Sequence, residues 1–311
     1  MGTLARWTRS FRAFKKEFSR SNSPSFPITP FRKAKFGIAL GGGFARGLAH
    51  IGVLKVLEEE KVPIDFVAGT SVGSIIGAAY CSGMSTRELE EVARLVRFKD
   101  FARWTISRYG FASNDRMAGF LKKLLKCRTF EELRIPLAVA ATDFVTGEGM
   151  VFRSGGLVDP VRASCAYPGM FLPVHFDGRQ FVDGMLSYPV PAQPLRKMGA
   201  DRVISVHLSA NWVNLQGPRH IFDVIGQCFS IAQESMCDAW HAQTDVKIEP
   251  DVRGFSYDSF DRAAELIAAG ETAARVMLPA IRKLLEPAVR ELEKSVVGTN
   301  SPVTSSPAPA R

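Results

Sequence analysis

Two short glycine-rich turns, each lying between an apolar run and a helical stretch, constrain this chain more than any other feature. Phe36-Gly-Ile-Ala-Leu40 leads into Gly41-Gly-Gly-Phe-Ala-Arg-Gly47, and Leu48, Ile51, Leu54 and Leu57 then share one helical face over about 46–60. Asp65-Phe-Val-Ala68 leads into Gly69-Thr-Ser-Val-Gly73, and a small-residue helix starts at Ser74 and runs to Cys81. The rest continues the alternation. Helices are predicted at about 86–96 and 114–126, and Pro136–Ala141 is predicted as a central strand. Asp159 as cap and Pro160 at the first position open another helix. Arg202–Leu208 reads as a strand, followed by helices at about 220–243, 258–269 and 271–290. Strands alternating with helices predict an α/β protein with a mainly parallel sheet covered on both faces.

Gly69-Thr-Ser71-Val-Gly73 has the G-x-S-x-G pattern. A nucleophilic serine has to project from a sharp strand-to-helix turn, and flanking glycines remove the side chains that would clash there. Gly and Ser are common in turns, so the setting of strand, turn and helix, rather than the five letters, carries the reading. The helix that follows also aims its N-terminal dipole at the reacting centre. Attack on an ester carbonyl creates an oxyanion that needs aligned N–H donors, each worth about 3 kcal/mol of barrier. Gly41, Gly42 and Gly43, between a strand and a helix, are the candidates, with Arg46 fixing the loop or meeting a lipid phosphate. The competing reading is a phosphate cradle. It fails on spacing, because neither G-x-G-x-x-G nor a following Gly-Lys-Ser/Thr occurs.

A serine hydroxyl needs a base. Of the five histidines, His50, His175, His220 and His241 sit in apolar or helical contexts and read as structural, while His207, at a strand end, is the best candidate for a triad. Phe181-Val-Asp-Gly-Met185 offers the other choice, an apolar strand that delivers Asp183 into a glycine turn. Spacing alone does not choose between them.

Charge separates the chain into unlike parts. Residues 1–35 carry nine Lys/Arg and one acid, Glu17, which leaves the body nearly neutral and argues against a nucleic-acid binder. In the arm, Leu4, Trp7, Phe11, Phe14 and Phe18 fall on one helical face with Arg6, Arg9, Lys16 and Arg20 beside it, a pattern suited to an anionic membrane surface. Docking on the body or a partner, and an organellar transit peptide, are the competing readings. Residues 21–30 form a linker by composition, and Gly298–Arg311 is too poor in large apolar residues to fold. No apolar run approaches the roughly 18 residues of a membrane span. The stretch from Phe36 to Leu54 is interrupted by Arg46 and its glycines. With no apolar region after the first basic residues and five widely spaced cysteines, the chain reads as a cytoplasmic protein with reduced thiols and peripheral membrane contact through residues 1–20.

At this point the residues resemble a family. Leu40–Leu54, Gly69–Gly73, Arg162-Ala-Ser-Cys-Ala-Tyr-Pro-Gly169, Val182-Asp-Gly184 with Pro189-Val-Pro191, and Ile267-Ala-Ala-Gly-Glu271 are similar to the ordered blocks of bacterial patatin-like phospholipases, over about residues 36–290. The resemblance implies a three-layer α/β/α sandwich and a lipid acyl hydrolase working through a Ser–Asp dyad, without metal or other cofactor. Ser71 would be the nucleophile and Asp183 the base, Gly69 and Gly73 would shape the elbow, and Gly41–Gly43 with Arg46 would form the oxyanion loop. Phospholipid, lysophospholipid or neutral acyl esters would be the substrates. A non-catalytic membrane-recruited regulator and an acyltransferase on the same fold are the alternatives. The expected organisation is an arm and linker over 1–35, a catalytic core over 36–200, a C-terminal part over 201–292 completing the same domain, and a disordered tail over 293–311. Two residues depart from the family pattern. Phe44 stands where a small residue is usual, and Met185 follows Asp-Gly where Gly or Ala is usual.

Overall fold

The structure is a computed structural model that describes residues 33–107, 110–209 and 221–286, apart from the side chains of 104–107, 110 and 221–223. The amphipathic arm, the linker, His220 and the tail expected over 293–311 lie outside the described residues. The chain divides into two units, Met1–Lys33 and Ala34–Arg311. Every described strand and helix belongs to the second unit.

In chain order the elements are β1 (Phe36–Leu40), α1 (Ala49–Glu59), β2 (Phe66–Thr70), α2 (Val72–Cys81), α3 (Thr86–Leu95), β3 (Arg103–Ser107), β4 (Gly110–Ser113) and α4 (Asp115–Leu124). Then come β5 (Leu137–Asp143), β6 (Gly149–Phe152), α5 (Val158–Ser164), β7 (Val174–Phe176), β8 (Arg179–Asp183) and α6 (Ala192–Met198). The series ends with β9 (Arg202–Val206), α7 (Ile221–Ser235), α8 (Cys237–His241), β10 (Val246–Ile248) and α9 (Ala263–Leu285).

Eight strands form one sheet in the order β10-β9-β1-β2-β5-β8-β7, with β6 also on β5. From β10 to β5 every pairing is parallel, and the three pairings that involve β6, β7 and β8 are antiparallel. The parallel strands are buried along nearly their whole length, and side-chain alternation divides them between two cores. Ile38, Leu40, Val67, Leu137, Val139, Ile204 and Val206 face a core shared with α1, α2, α3 and α9. Ala39, Phe66, Ala68, Ala138 and Val203 face the opposite side, against Leu195 of α6 and Trp240 of α8. Helix, sheet, helix is the three-layer α/β/α architecture expected from the sequence.

The register aligns the ends of the strands that matter. Leu40 is level with Gly69 and with Val206, so the glycine loop and the Ser71 turn leave the same edge of the sheet side by side. On the other side, Asp183 of β8 is level with Ala141 of β5. Behind the glycine loop, α1 and α9 cross with their backbones in contact. A Cβ at Gly52 would meet the Ile267 carbonyl, and one at Gly270 would meet the Ala49 carbonyl.

Three local expectations are corrected. Helix α5 begins at Val158, so Asp159 and Pro160 lie inside its first turn and Asp159 pairs with Arg162 at 3.0 Å rather than capping. Proline is tolerated there because first-turn amides have no intrahelical partner. The helices read at 258–269 and 271–290 are the single α9, in which Gly270 serves the crossing with α1 instead of breaking the helix. The stretch read as one helix over 220–243 divides into α7 and α8 at Met236. None of the described helices is long and apolar enough to cross a membrane.

Candidate active site

Ser71 sits between β2 and α2 with φ 53° and ψ −128°, a conformation that a non-glycine residue holds only when its surroundings enforce it. Its neighbours supply that constraint. A Cβ on Gly69 would run into the backbone of Gly73 and Ser74, and one on Gly73 into the Leu40 carbonyl, so strand, turn and glycine loop approach at distances only glycine permits. The Ser71 amide donates to Ser164 Oγ at 2.8 Å. Its carbonyl accepts from Ser74 Oγ at 2.6 Å and from the Ser74 amide at 2.8 Å. Ser164 thus secures the main chain of Ser71.

The Ser71 hydroxyl donates to Asp183 Oδ2 at 2.8 Å, across 112 positions of sequence. Oδ1 of the same carboxyl accepts from the Met185 amide at 2.9 Å. The main chain of Asp183 is fixed at both ends: its amide donates to the Ala166 carbonyl at 3.0 Å, and its carbonyl accepts from Thr142 Oγ1 at 3.0 Å. Asp183 is fully buried. Desolvation pushes its pKa up from 3.8 to about 7, against the pull of the Met185 and Ser71 hydrogen bonds.

His207 is not brought to Ser71. Its Nδ1 lies 3.4 Å from Glu249 Oε1, its ring packs on Trp240, and burial lowers its pKa. His50 proves to be a support for the glycine loop. Its Nε2 lies 2.8 Å from the Gly41 carbonyl, and burial lowers its pKa to about 4, so the ring is neutral and donates through Nε2. Asp143 accepts from the Thr146 and Val145 amides and from Arg179 at 2.6 Å, which together pull its carboxyl down to about 2.

The oxyanion expectation needs correction in part. The Gly41 amide donates to the Val206 carbonyl at 3.1 Å and the Gly42 amide to the Pro189 carbonyl at 3.2 Å. Those two donors hold the loop to β9 and to the segment after Asp183. Among the described residues no backbone acceptor takes the loop amides at Gly43 and Phe44, at the start of a short 3-10 turn over Phe44–Leu48. Arg46 lies in that turn, 4% exposed, and burial lowers its pKa to about 10, partly offset by Tyr167, so it is cationic at neutral pH. Met185 packs its thioether over Gly42, in the space that a Cβ there would occupy. Phe44 turns away from the loop, edge-on to Tyr167 at 4.9 Å between ring centroids. It lines an apolar pocket with Ser71 at one end and Val72, Phe98, Met117, Cys165 and Phe171 among its walls.

Among the described residues no group of three or more His, Cys, Asp or Glu is placed to hold a metal ion. The arrangement joins a hydroxyl held by a fully buried carboxyl to unspent loop amides and an apolar pocket that opens on that hydroxyl.

Comparison with known proteins finds relatives among NTE family and patatin-like phospholipase proteins. The chain is 31% identical over 192 residues to an uncharacterized NTE family protein of Mycobacterium tuberculosis, covering 57% of this chain and 50% of that one. It is 30% identical over 230 residues to lysophospholipase NTE1 of Mycosarcoma maydis, covering 70% of this chain and 12% of the fungal protein. It is 34% identical over 184 residues to human patatin-like phospholipase domain-containing protein 6, covering 56% and 13%. The chain thus spans about half the length of the mycobacterial relative and far less of the others. Among solved structures, VipD of Legionella pneumophila aligns over 81% of this chain and 67% of its own, at 11% identity and a TM-score of 0.44. The family model of patatin-like phospholipases matches residues 38–196, a span that takes in the glycine loop, the Ser71 turn and Asp183. The chain belongs to the patatin-like phospholipase family.

Proposed function

We propose that this protein hydrolyses carboxyl esters of lipids through an acyl-serine intermediate formed on Ser71. The observation that carries the reading is the 2.8 Å hydrogen bond from the Ser71 hydroxyl to the buried Asp183 carboxylate. A carboxylate moved up to about 7 is a far better proton acceptor than an exposed one, and is still ionised in a large fraction of molecules at neutral pH.

In the first half-reaction Ser71 Oγ bonds to the ester carbonyl carbon while its proton passes to Asp183 Oδ2. The carbonyl oxygen takes the negative charge next to the Gly43 and Phe44 amides and the start of α2. When the tetrahedral species collapses, the bond to the alcohol oxygen breaks and Asp183 returns the proton to it. In the second half-reaction a water loses a proton to Asp183 and attacks the acyl carbon. The fatty acid leaves and Ser71 recovers its proton. Arg46, cationic beside the loop, supplies a favourable field for the oxyanion. The apolar pocket suits an acyl chain, and the lysophospholipase name of the fungal relative supports a phospholipid-derived ester.

The test is covalent labelling by a fluorophosphonate together with fatty acid release from lysophospholipid and from a soluble nitrophenyl ester. Labelling and release in the wild type, both lost in Ser71→Ala, are the expected result. Release that persists in Ser71→Ala would refute the reading. The arm supports a separate proposal of peripheral membrane contact. Deletion of residues 1–30 should weaken binding to anionic vesicles and leave hydrolysis of the soluble ester intact.

A further inference from the structure

The apolar pocket at Ser71 does not end where its outer walls do. Four of its lining residues, Val72, Ile75, Phe101 and Phe260, also line a second apolar cavity beside it. The far walls of that inner chamber include Leu48 and Ile51 next to the glycine loop, Leu89 and Ala93 of α3, and Phe120 and Leu124 of α4. Both chambers touch the same side of α2. Val72, Ile75, Ile76 and Ala79 recur at helical spacing, so they form a continuous stripe that starts beside Ser71 and runs about 10 Å along the helix. Among the described lining residues, the outer chamber carries the Ser71 hydroxyl and the Cys165 thiol, and the inner one carries apolar side chains.

Rings separate the two spaces. Phe101 packs edge-on against Phe120 at 5.0 Å between centroids and lies tilted against Phe260 at 5.6 Å. Val72 and Ile75 are fixed on α2, immediately behind the nucleophile. Phe101 instead belongs to the short connection between α3 and β3, just past a single 3-10 turn over Phe98–Asp100. Of the four shared residues it is the one carried by neither a regular helix nor a helix entry. Size decides what this partition does. Each chamber encloses about 50 Å³, against the roughly 150 Å³ of an apolar cavity that accepts benzene. A short acyl group needs only the outer space and the open mouth. A long one exceeds both spaces as they stand, so it has to displace the Phe101 ring and widen the second chamber.

We infer that Phe101 sets the length of acyl chain this site accepts, acting as a ring that divides an acyl track along α2 into an outer and an inner segment. The inference rests on the reading of Ser71 as the acyl-bearing nucleophile. The occupant of the track is the fatty acyl chain of the substrate, because its apolar walls adjoin Ser71, the hydroxyl to which that chain becomes esterified. Phe101 is therefore a specificity-determining residue, and Ala93 lines only the second of the two chambers.

The experiment measures kcat/KM for nitrophenyl butyrate and nitrophenyl dodecanoate with the full chain, and reads the ratio of long to short. Phe101→Leu and Phe101→Ala shrink the dividing ring, while Ala93→Leu fills the inner chamber. A methylene accepted or refused in an apolar pocket is worth on the order of tenfold in specificity. The ratio is expected to rise about tenfold in Phe101→Ala, less in Phe101→Leu, and to fall about tenfold in Ala93→Leu. Thermal unfolding identifies any variant that fails to fold. Phe101→Leu, which keeps most of the buried volume, and Ala93→Leu then carry the test in opposite directions. A wild-type ratio in both of these folded variants overturns the role of Phe101 and leaves the hydrolase reading standing. Absence of turnover on either ester by the wild type, or turnover that survives Ser71→Ala, overturns the hydrolase reading and this inference with it.

Discussion

The two partners of the proposed dyad come from opposite kinds of sheet. Ser71 leaves the parallel half, whose central strands are buried on both faces and whose ends pass directly into helices. Asp183 leaves the antiparallel edge, where β6, β7 and β8 are largely half-buried and Arg179 reaches the surface beside Asp143. The serine is shaped locally: residues two positions to either side, through Gly69 and Gly73, dictate its backbone. The aspartate is shaped at long range, by pairing with β5 some forty positions earlier and by bonds to Ala166 and Thr142. A reactive hydroxyl needs one sharp bend, whereas its base needs the whole sheet edge in register.

That contrast can be broken or sharpened by substitution. Ser71→Ala should have the largest effect, a loss of kcat/KM for ester hydrolysis of about ten-thousandfold or more, since no other group can carry the acyl chain. Asp183→Asn keeps the shape of the edge but removes the proton acceptor, and should cost about a thousandfold in the same assay.

Asp183 also predicts an opposition between activity and stability. Its folded pKa, about 7, lies above the ordinary 3.8, so the folded protein binds this proton more tightly than the unfolded chain does. Stability attributable to this group is present in full below about 4 and is lost as pH rises to about 7, by about 4 kcal/mol in all. Activity should rise over the upper part of the same range as the carboxylate forms. Asp183→Asn should therefore lack that slope in denaturant unfolding and be more stable than the wild type at neutral pH, although inactive.

Ser164→Ala is expected to act more mildly. It leaves the Ser71 amide without its acceptor, which should cost about 1–3 kcal/mol in unfolding and about tenfold in kcat/KM. His207→Ala should have the least effect on turnover, within about twofold of the wild type, because His207 packs with Glu249 and Trp240 away from the nucleophile. A large loss of activity in His207→Ala, with Asp183→Asn unaffected, would reverse the assignment of the base.

The parallel half was legible in the sequence because burial on both faces leaves unbroken apolar runs. Phe36–Leu40 and Pro136–Ala141 fall on β1 and β5 nearly residue for residue. The antiparallel edge was much less so. Gly149–Phe152 and Val174–Phe176 are only four and three residues long, the second with His175 in its middle, and their identity as strands depends on β5 and β8 being present. The same division runs through the site. The G-x-S-x-G turn and the Asp-Gly turn announce themselves locally. Which glycine amides remain free does not, because Gly41 and Gly42 spend theirs on Val206 and Pro189, far along the chain. Gly270 read as a break between helices because a lone glycine weakens a helix, and only the crossing with α1 explains its place inside α9.

That crossing bears on how far a working enzyme can be trimmed. The family match stops at residue 196, and a protein cut there would still hold every letter of the dyad, the elbow and the loop. It would lose the carbonyl of Val206, which anchors Gly41, and the long buttress whose main chain abuts Gly52 and Ala49 just behind the loop. A truncation meant to keep the proposed activity is therefore expected to need both β9 and the part of α9 around Ile267–Glu271. Grafting the matched segment alone would transplant the chemistry without the masonry that keeps it in place.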